Sequence, residues 1–108
     1  MLDDQQFQLK ADECLRRLYK ALAAASDEHD FETDLGGALT IEFDEPPAKF
    51  VISPNSPVHQ IWVSALSKSF KLGWDDSRAD FVLPETGQAL QELVEDVISK
   101  HLGESISL

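Results

Sequence analysis

An acidic segment between residues 27 and 45 is the first place where this chain could do chemistry. It holds eight carboxylates and no lysine or arginine: Asp27, Glu28, Asp30, Glu32, Asp34, Glu42, Asp44 and Glu45. Carboxylate oxygens are ligands that hard metal cations accept. The segment is therefore a candidate cation-binding surface, and an acidic face that contacts only water is the alternative.

Apolar and acidic residues alternate on both sides of Gly36 and Gly37, which predicts a β-hairpin. A loop over 36–38 keeps the two apolar faces together, whereas a slip of one residue would expose a whole apolar set. This register sets Leu35 opposite Leu39, Thr33 opposite Ile41 and Phe31 opposite Phe43. It also sets two acidic pairs opposite each other, Glu32 with Glu42 and Asp30 with Asp44. Opposed like charges destabilise a ribbon, so this hairpin either tolerates them or holds a cation.

The spacing of these carboxylates favours several weak, exposed metal sites over one enclosed site. Carboxylates at alternate positions of one strand stand about 6.6 Å apart, too far for one ion to contact three of them. Cross-strand pairs come nearer, at about 4.5–5.5 Å between Cβ atoms. His29, inside the acidic segment, is either a further ligand or a solvated histidine.

A second candidate site is the stretch from Ser53 to Ser64, where prolines bound a loop that leads into a strand. Alternation places Ile61 and Val63 on the core face and leaves Trp62 among polar neighbours on the other. A large apolar ring on a polar face indicates a surface for a protein partner. A core position for the ring is the alternative.

Charge and composition narrow the classes of function. The 108 residues carry 20 acidic and 9 basic side chains, a formal net charge of −11. Such a chain disfavours nucleic acid and attracts cations or basic protein surfaces. No apolar run approaches the ~20 residues of a membrane span and no signal peptide begins the chain, so we expect a cytoplasmic protein. The sequence shows no nucleophile–base arrangement and no phosphate-binding glycine loop, so we expect no enzymatic activity.

The periodicity predicts one α+β domain over residues 1–108. Helical spacing of apolar residues predicts a helix over 4–24 and a second that ends near 102, with Thr86 as its N-cap. Between them we expect about six strands, over 30–35, 39–44, 48–52, 58–65, 70–72 and 80–83. The order favours an α–β–α sandwich with both helices on one face of an antiparallel sheet.

Several motifs, in order along almost the whole chain, resemble the frataxin family and in particular its bacterial CyaY-type members. They are Phe7 with Ala11-Asp12, the run from Gly36 to Thr40, Val51-Ile52, Pro57-x-His59-Gln60-Ile61-Trp62, and the closing residues 103–108. The resemblance implies the frataxin sandwich, iron bound weakly at surface carboxylates, and a role in iron–sulphur cluster assembly. It also implies two partners, a cysteine desulfurase, whose activity the protein would tune, and an iron–sulphur scaffold protein.

By position, the resemblance implies a metal-binding ridge at Asp27, Glu28, Asp30, Glu32 and Asp34, to which the hairpin register adds Glu42 and Asp44. It further implies that the sheet surface that meets the assembly complex includes Asn55, Gln60 and Trp62. The family's ridge usually continues along the second half of the first helix, where this chain has Tyr19, Lys20, Ala23 and Ala24. We expect a monomer. An acidic adaptor without metal and an iron store built from iron-dependent oligomers are the alternatives.

Overall fold

The computed structural model describes residues 3–29, 31–44 and 47–108. Its two helices are α1 (Asp4–Ser26) and α2 (Leu90–Leu102). Six strands lie between them: β1 (Phe31–Leu35), β2 (Leu39–Asp44), β3 (Pro47–Asn55), β4 (Gln60–Ala65), β5 (Lys68–Asp75) and β6 (Asp80–Val82). They form one antiparallel sheet in the order of the sequence. Neither helix combines the length and the apolar character that a membrane crossing needs.

Helix α1 begins at a capping box, in which Asp3 and Gln6 each bind the other's backbone N–H. Its apolar stripe packs into the core through residues at helical spacing, namely Phe7, Ala11, Cys14, Leu15, Leu18 and Leu22. Both helices cover one face of the sheet, and the apolar side chains of alternate strand positions complete the core. The predicted fold class is therefore confirmed, and the other face of the sheet is left to solvent.

The hairpin register of β1 and β2 is the predicted one. Phe31 faces Phe43, Leu35 faces Leu39, and Glu32 faces Glu42. Each apolar member of β2 is buried, whereas Glu32, Asp34, Glu42 and Asp44 are exposed. The predicted pair of Asp30 with Asp44 lies outside the described residues.

The predicted bounds of β3, β4 and β5 are wrong. Strand β3 runs on to Asn55, although the prediction ended it at 52. Residues Ser56–Val58 form a 3₁₀ turn and His59 is left-handed at φ 52°, so β4 begins only at Gln60. Strand β5 is longer at both ends than predicted.

The predicted N-cap of the second helix, Thr86, is also wrong. Its hydroxyl accepts the Gln88 N–H within a turn, and Ala89 then makes a β-bridge to Val82. The chain therefore stays extended until α2 begins at Leu90, where Glu92 caps the Ala89 N–H. The helix ends at Gly103, whose φ of 70° suits a glycine.

Candidate functional site

The acidic face of the hairpin formed by β1 and β2 brings several predicted metal ligands together. Glu32, Asp34 and Glu42 line a shallow depression of about 210 Å³ on the solvent side of the sheet, with Thr33 and Thr40. Alternation puts these acids on one face because their apolar neighbours are held in the core. Carboxylates directly across the strands are close enough to share one cation.

The other predicted ligands lie around this depression. Asp44 and Glu32 both line a second, larger groove of about 560 Å³ between α1 and β1. Asp27 and Glu28 are exposed in the turn that ends α1, and they line neither the depression nor the groove. No basic residue occupies the last turn of α1, so the negative end of the helix dipole adds to their field. Asp30 falls outside the described residues.

One basic side chain that sequence reasoning missed lies beside the acidic face. Lys49 is the cross-strand neighbour of Glu42 on β3, and it is exposed. Absence of Lys and Arg from the acidic segment therefore does not mean that the whole surface lacks positive charge. Alternation of Lys49 with buried Phe50 and Ile52 was the signal that could have found it.

His29 contacts the C-terminal tail. Its Nδ1 lies 2.7 Å from Oε1 of Glu104, and its ring stacks over Phe31 at 6.5 Å between centroids. The ring also lines the groove between α1 and β1. One of its two nitrogens is thus engaged by a carboxylate, which leaves only the other as a potential metal ligand.

The donor set suits a hydrated hard cation rather than an enclosed ion. Across the described ranges, no three His, Cys, Asp or Glu side chains converge closely enough to hold a metal ion together. A pair such as Glu32 and Glu42 can still bind an ion that keeps most of its water, because Fe²⁺ and Fe³⁺ accept carboxylate oxygens. The roles of these residues as iron ligands stay predictions.

The predicted partner-binding residues form a second cluster on the same face of the sheet. Trp62 is 37% exposed in the middle of β4, and its indole N–H donates to Oε1 of Gln60 at 2.9 Å. Asn55 lies directly across from Gln60, where β3 ends. Its side chain makes no capping hydrogen bond to the 3₁₀ turn that follows. The structure thus places all three residues together.

A lysine completes this cluster. Lys71 faces Trp62 from β5, and its Nζ lies 5.0 Å from the indole centroid, a cation–π geometry. Two strand spacings, about 10 Å, separate β4 from β2, so the tryptophan cluster and the acidic face can contact one partner at once. The use of this surface by a partner stays a prediction.

Comparisons with known proteins agree with this architecture. The sequence model of the family described as frataxin-like domain matches residues 1–104. An iron-sulfur cluster assembly protein CyaY from Dechloromonas aromatica (strain RCB) is 33% identical over 107 residues, which cover 99% of each chain. A CyaY protein from Pseudomonas entomophila (strain L48) is 28% identical over 90 residues, with 81% of each chain covered.

A solved structure, frataxin from Psychromonas ingrahamii, superposes with a TM-score of 0.77 over 98% of this chain and 97% of its own, at 23% sequence identity. That structural likeness supports the assignment of the fold, whereas the sequence matches support membership of a family. The family model covers nearly the whole chain, and the first of the CyaY relatives aligns along its full length. This chain belongs to the frataxin-like family.

Proposed function

We propose that this protein acts in iron–sulphur cluster assembly as an iron-binding regulator that docks onto a cysteine desulfurase and its scaffold protein. Relatives that cover 81% and 99% of this chain carry the name iron-sulfur cluster assembly protein, which supports a role in that process. The partners and the use of iron are inferences from the family likeness and from the surface. We place the activity in the cytoplasm, and we propose a regulatory rather than an enzymatic role.

One observation carries the proposal. The solvent face of a single sheet holds both a row of exposed carboxylates and an exposed indole with its polar neighbours. A protein interface commonly combines an aromatic anchor with charge complementarity around it. The acidic face would steer a basic partner surface into place, and Trp62 would supply contact area at the centre.

Iron would be a weakly held cargo in this scheme. Glu32 and Glu42 would share a hydrated ion across the strands, and Asp34 would add charge to the same depression. Binding would neutralise the repulsion between opposed carboxylates, so loaded protein should be slightly more stable than metal-free protein. The bound ion would also lower the negative charge presented to a basic partner, which links iron supply to docking.

A pull-down with purified desulfurase and scaffold, with and without iron, tests the docking. We expect capture of the desulfurase by the wild-type chain and a change in capture when iron is added. A chain that captures neither protein under either condition would contradict the proposal.

Iron titration followed by NMR tests the metal site. We expect selective broadening at Glu32, Asp34 and Glu42, and its loss in a Glu32→Gln, Glu42→Gln double variant. The matched control is Glu85→Gln with Glu13→Gln, which removes the same charge from exposed positions elsewhere. Equal broadening in both double variants would mean that iron follows overall charge and has no site.

A second candidate is an acidic adaptor that binds a basic protein surface without metal. Two observations favour it: the described residues offer no three converging ligands, and Lys49 stands next to Glu42. The adaptor hypothesis predicts that the chain captures the partner equally well with and without iron. It also predicts no residue-specific NMR broadening at millimolar metal. The two experiments above therefore separate the candidates.

A further inference from the structure

The outer edge of β1 is an open edge of the sheet. The six strands run in the order β1 to β6, so β1 pairs with β2 alone within the described part of the chain. An open edge presents backbone N–H and C=O groups that can pair with another extended segment.

Backbone geometry identifies which groups face outwards. The Gly36 N–H donates to the Ala38 carbonyl across the hairpin loop at 3.1 Å. Hydrogen-bonded positions recur at every second residue of an antiparallel ladder, so Asp34 and Glu32 bond inwards to β2. The backbone groups of Thr33 and Leu35 then point to the open edge. The Phe31 N–H fits this assignment, because it donates to the His29 carbonyl and not to β2.

Two grooves follow this edge, with α1 as their opposite wall. The first has about 560 Å³ and is lined on the β1 side by Phe31, Glu32 and Thr33. The second has about 420 Å³ and is lined by Leu35 and Gly36 of the hairpin and by Ala11 and Leu15 of α1. Asp12 and Arg16 of α1 also line it, and their side chains form an ion pair with each other. Space therefore exists beside the strand for a further segment, with an apolar floor at the Leu35 end.

The acidic side chains beside the open edge of β1 determine which kind of segment can pair with it. Side chains of an added strand would alternate, one set beside the exposed Glu32 and Asp34 and the other set over the groove towards α1. A second copy of this chain would bring the same two acids against them, and like charges across a ladder are destabilising. A segment that alternates basic and apolar residues complements both sides.

We propose that the edge of β1 accepts an extended segment of a partner protein, with alternating basic and apolar residues, as a seventh strand of the sheet. This inference deepens the proposed function, on which its biological partner rests, because it gives the acidic face a defined mode of contact. Backbone hydrogen bonds to Thr33 and Leu35 supply affinity, and Glu32 and Asp34 select basic side chains.

Titration with a peptide of alternating valine and lysine, followed by amide NMR, tests the edge directly. We expect shifts and slowed hydrogen exchange at the amides of Thr33 and Leu35, whereas the Phe31 N–H is already bonded to the His29 carbonyl. The matched control peptide carries N-methyl groups on alternate residues, which keep its charge but remove the N–H groups that face β1. It should bind roughly tenfold more weakly or worse. Equal binding of both peptides, or no change at these amides at about 1 mM peptide, overturns the proposal.

A pair of variants tests the same edge from the protein side. Thr33→Pro removes an outward N–H, which an edge strand tolerates, and Thr33→Val keeps it. Both lose the Thr33 hydroxyl bond to the Thr40 carbonyl, so they differ mainly in the N–H and in the rigidity of the proline ring. We expect the proline variant to lose peptide binding and the valine variant to retain it. If Thr33→Pro unfolds, the N-methylated peptide alone decides.

The outcomes keep the two proposals apart. Peptide binding at the edge without capture of the desulfurase would remove the proposed partner and leave the edge site. Capture of the desulfurase without peptide binding would leave the function and remove strand addition. Growth in particle size by light scattering without any peptide would mean that a second copy takes the edge, which overturns the chosen occupant.

Discussion

Individual side chains explain how a large aromatic ring is kept in water. Trp62 satisfies its indole N–H with Gln60 of the same strand, and Lys71 covers part of the ring. Both contacts lie on the surface, and an exposed cation–π pair contributes only about 0.5–1 kcal/mol. These two contacts therefore add little to the stability of the fold, and the exposed part of the ring is available to a partner.

Trp62→Ala should separate binding from stability. We expect a loss of less than about 1 kcal/mol in the free energy of unfolding and at least a tenfold rise in the partner Kd. The control is Trp74→Ala, because Trp74 is partly buried and packs edge-on against Phe81 at 5.2 Å. That control should lose roughly 2–3 kcal/mol. A comparable fall in melting temperature for Trp62→Ala would place its ring in the core.

Glu92 connects the start of α2 to the turn before β6. Its Oε1 accepts the Ala89 N–H at 3.0 Å and the Arg78 guanidinium at 3.1 Å, and these bonds lower the pKa of its carboxyl, the backbone bond most. Because the pKa is lower in the folded state, the stabilisation is present above the unfolded-state pKa. It is lost as pH falls through the folded-state value.

Glu92→Gln should therefore be destabilised at neutral pH, by an amount that shrinks towards zero in acid. Urea unfolding of both proteins from about pH 7 down to about pH 3 measures the difference. Glu85→Gln, at an exposed position in the preceding turn, controls for a general change in net charge. A gap between wild type and Glu92→Gln that stays constant across this range would contradict the assignment.

Among the elements, the hairpin was the most predictable and the start of α2 the least. Apolar alternation and the glycine turn together set the register of β1 and β2, because a slip of one residue would expose a phenylalanine. Thr86 resembles a helix N-cap locally, but its hydroxyl closes a turn, and the bridge from Ala89 to Val82 delays the helix. That bridge joins residues whose proximity only the folded sheet determines.

Some features of the candidate site can also be predicted from local sequence, and others depend on the folded sheet. Alternation within single strands predicts which face carries Glu32, Glu42 and Trp62, and the structure agrees. The position of Lys49 opposite Glu42 depends on how the chain turns between β2 and β3. Contacts such as His29 with Glu104 join residues 75 positions apart, and no local pattern predicts them.

The C-terminal tail is an element that stabilises without regular structure. Ile106 is 5% exposed, and its N–H donates to the Ser99 hydroxyl at 3.0 Å. Gln91 donates to the Leu108 carbonyl, which holds the end of the tail against α2. The tail therefore closes one end of the core.

Ile106→Ala should cost about 2–4 kcal/mol in the free energy of unfolding, because it leaves a cavity at a position that the surrounding side chains enclose. Ile106→Val should cost about 1 kcal/mol, and Ser107→Ala, at an exposed position, almost nothing. Chemical denaturation measures all three. A cost for Ile106→Ala equal to that of Ser107→Ala would mean that the tail does not pack in solution.

At the scale of the whole molecule, charge is distributed unevenly over a sheet with one free face. The net charge is −11, and the hairpin face concentrates part of it at one end of the sheet, while Lys49 lies on β3 and Lys71 on β5. In the proposed complex, a basic partner would therefore be drawn to the hairpin first and oriented by it before Trp62 makes contact. Long-range attraction of this kind acts on the encounter rate far more than on the lifetime of the complex.

Salt should consequently slow association with the partner and leave dissociation almost unchanged. Between about 20 mM and about 500 mM salt, we expect the association rate constant to fall at least about tenfold, as surface plasmon resonance or stopped flow would measure. Glu32→Gln with Glu42→Gln should flatten this salt dependence, whereas Glu13→Gln with Glu85→Gln, which removes the same charge elsewhere, should leave it steep. An equal effect of the two double variants would mean that the partner senses only total charge. Steering by one face requires that the position of the charge matters, because a screened field decays within about 10 Å at moderate salt and distant carboxylates then contribute little.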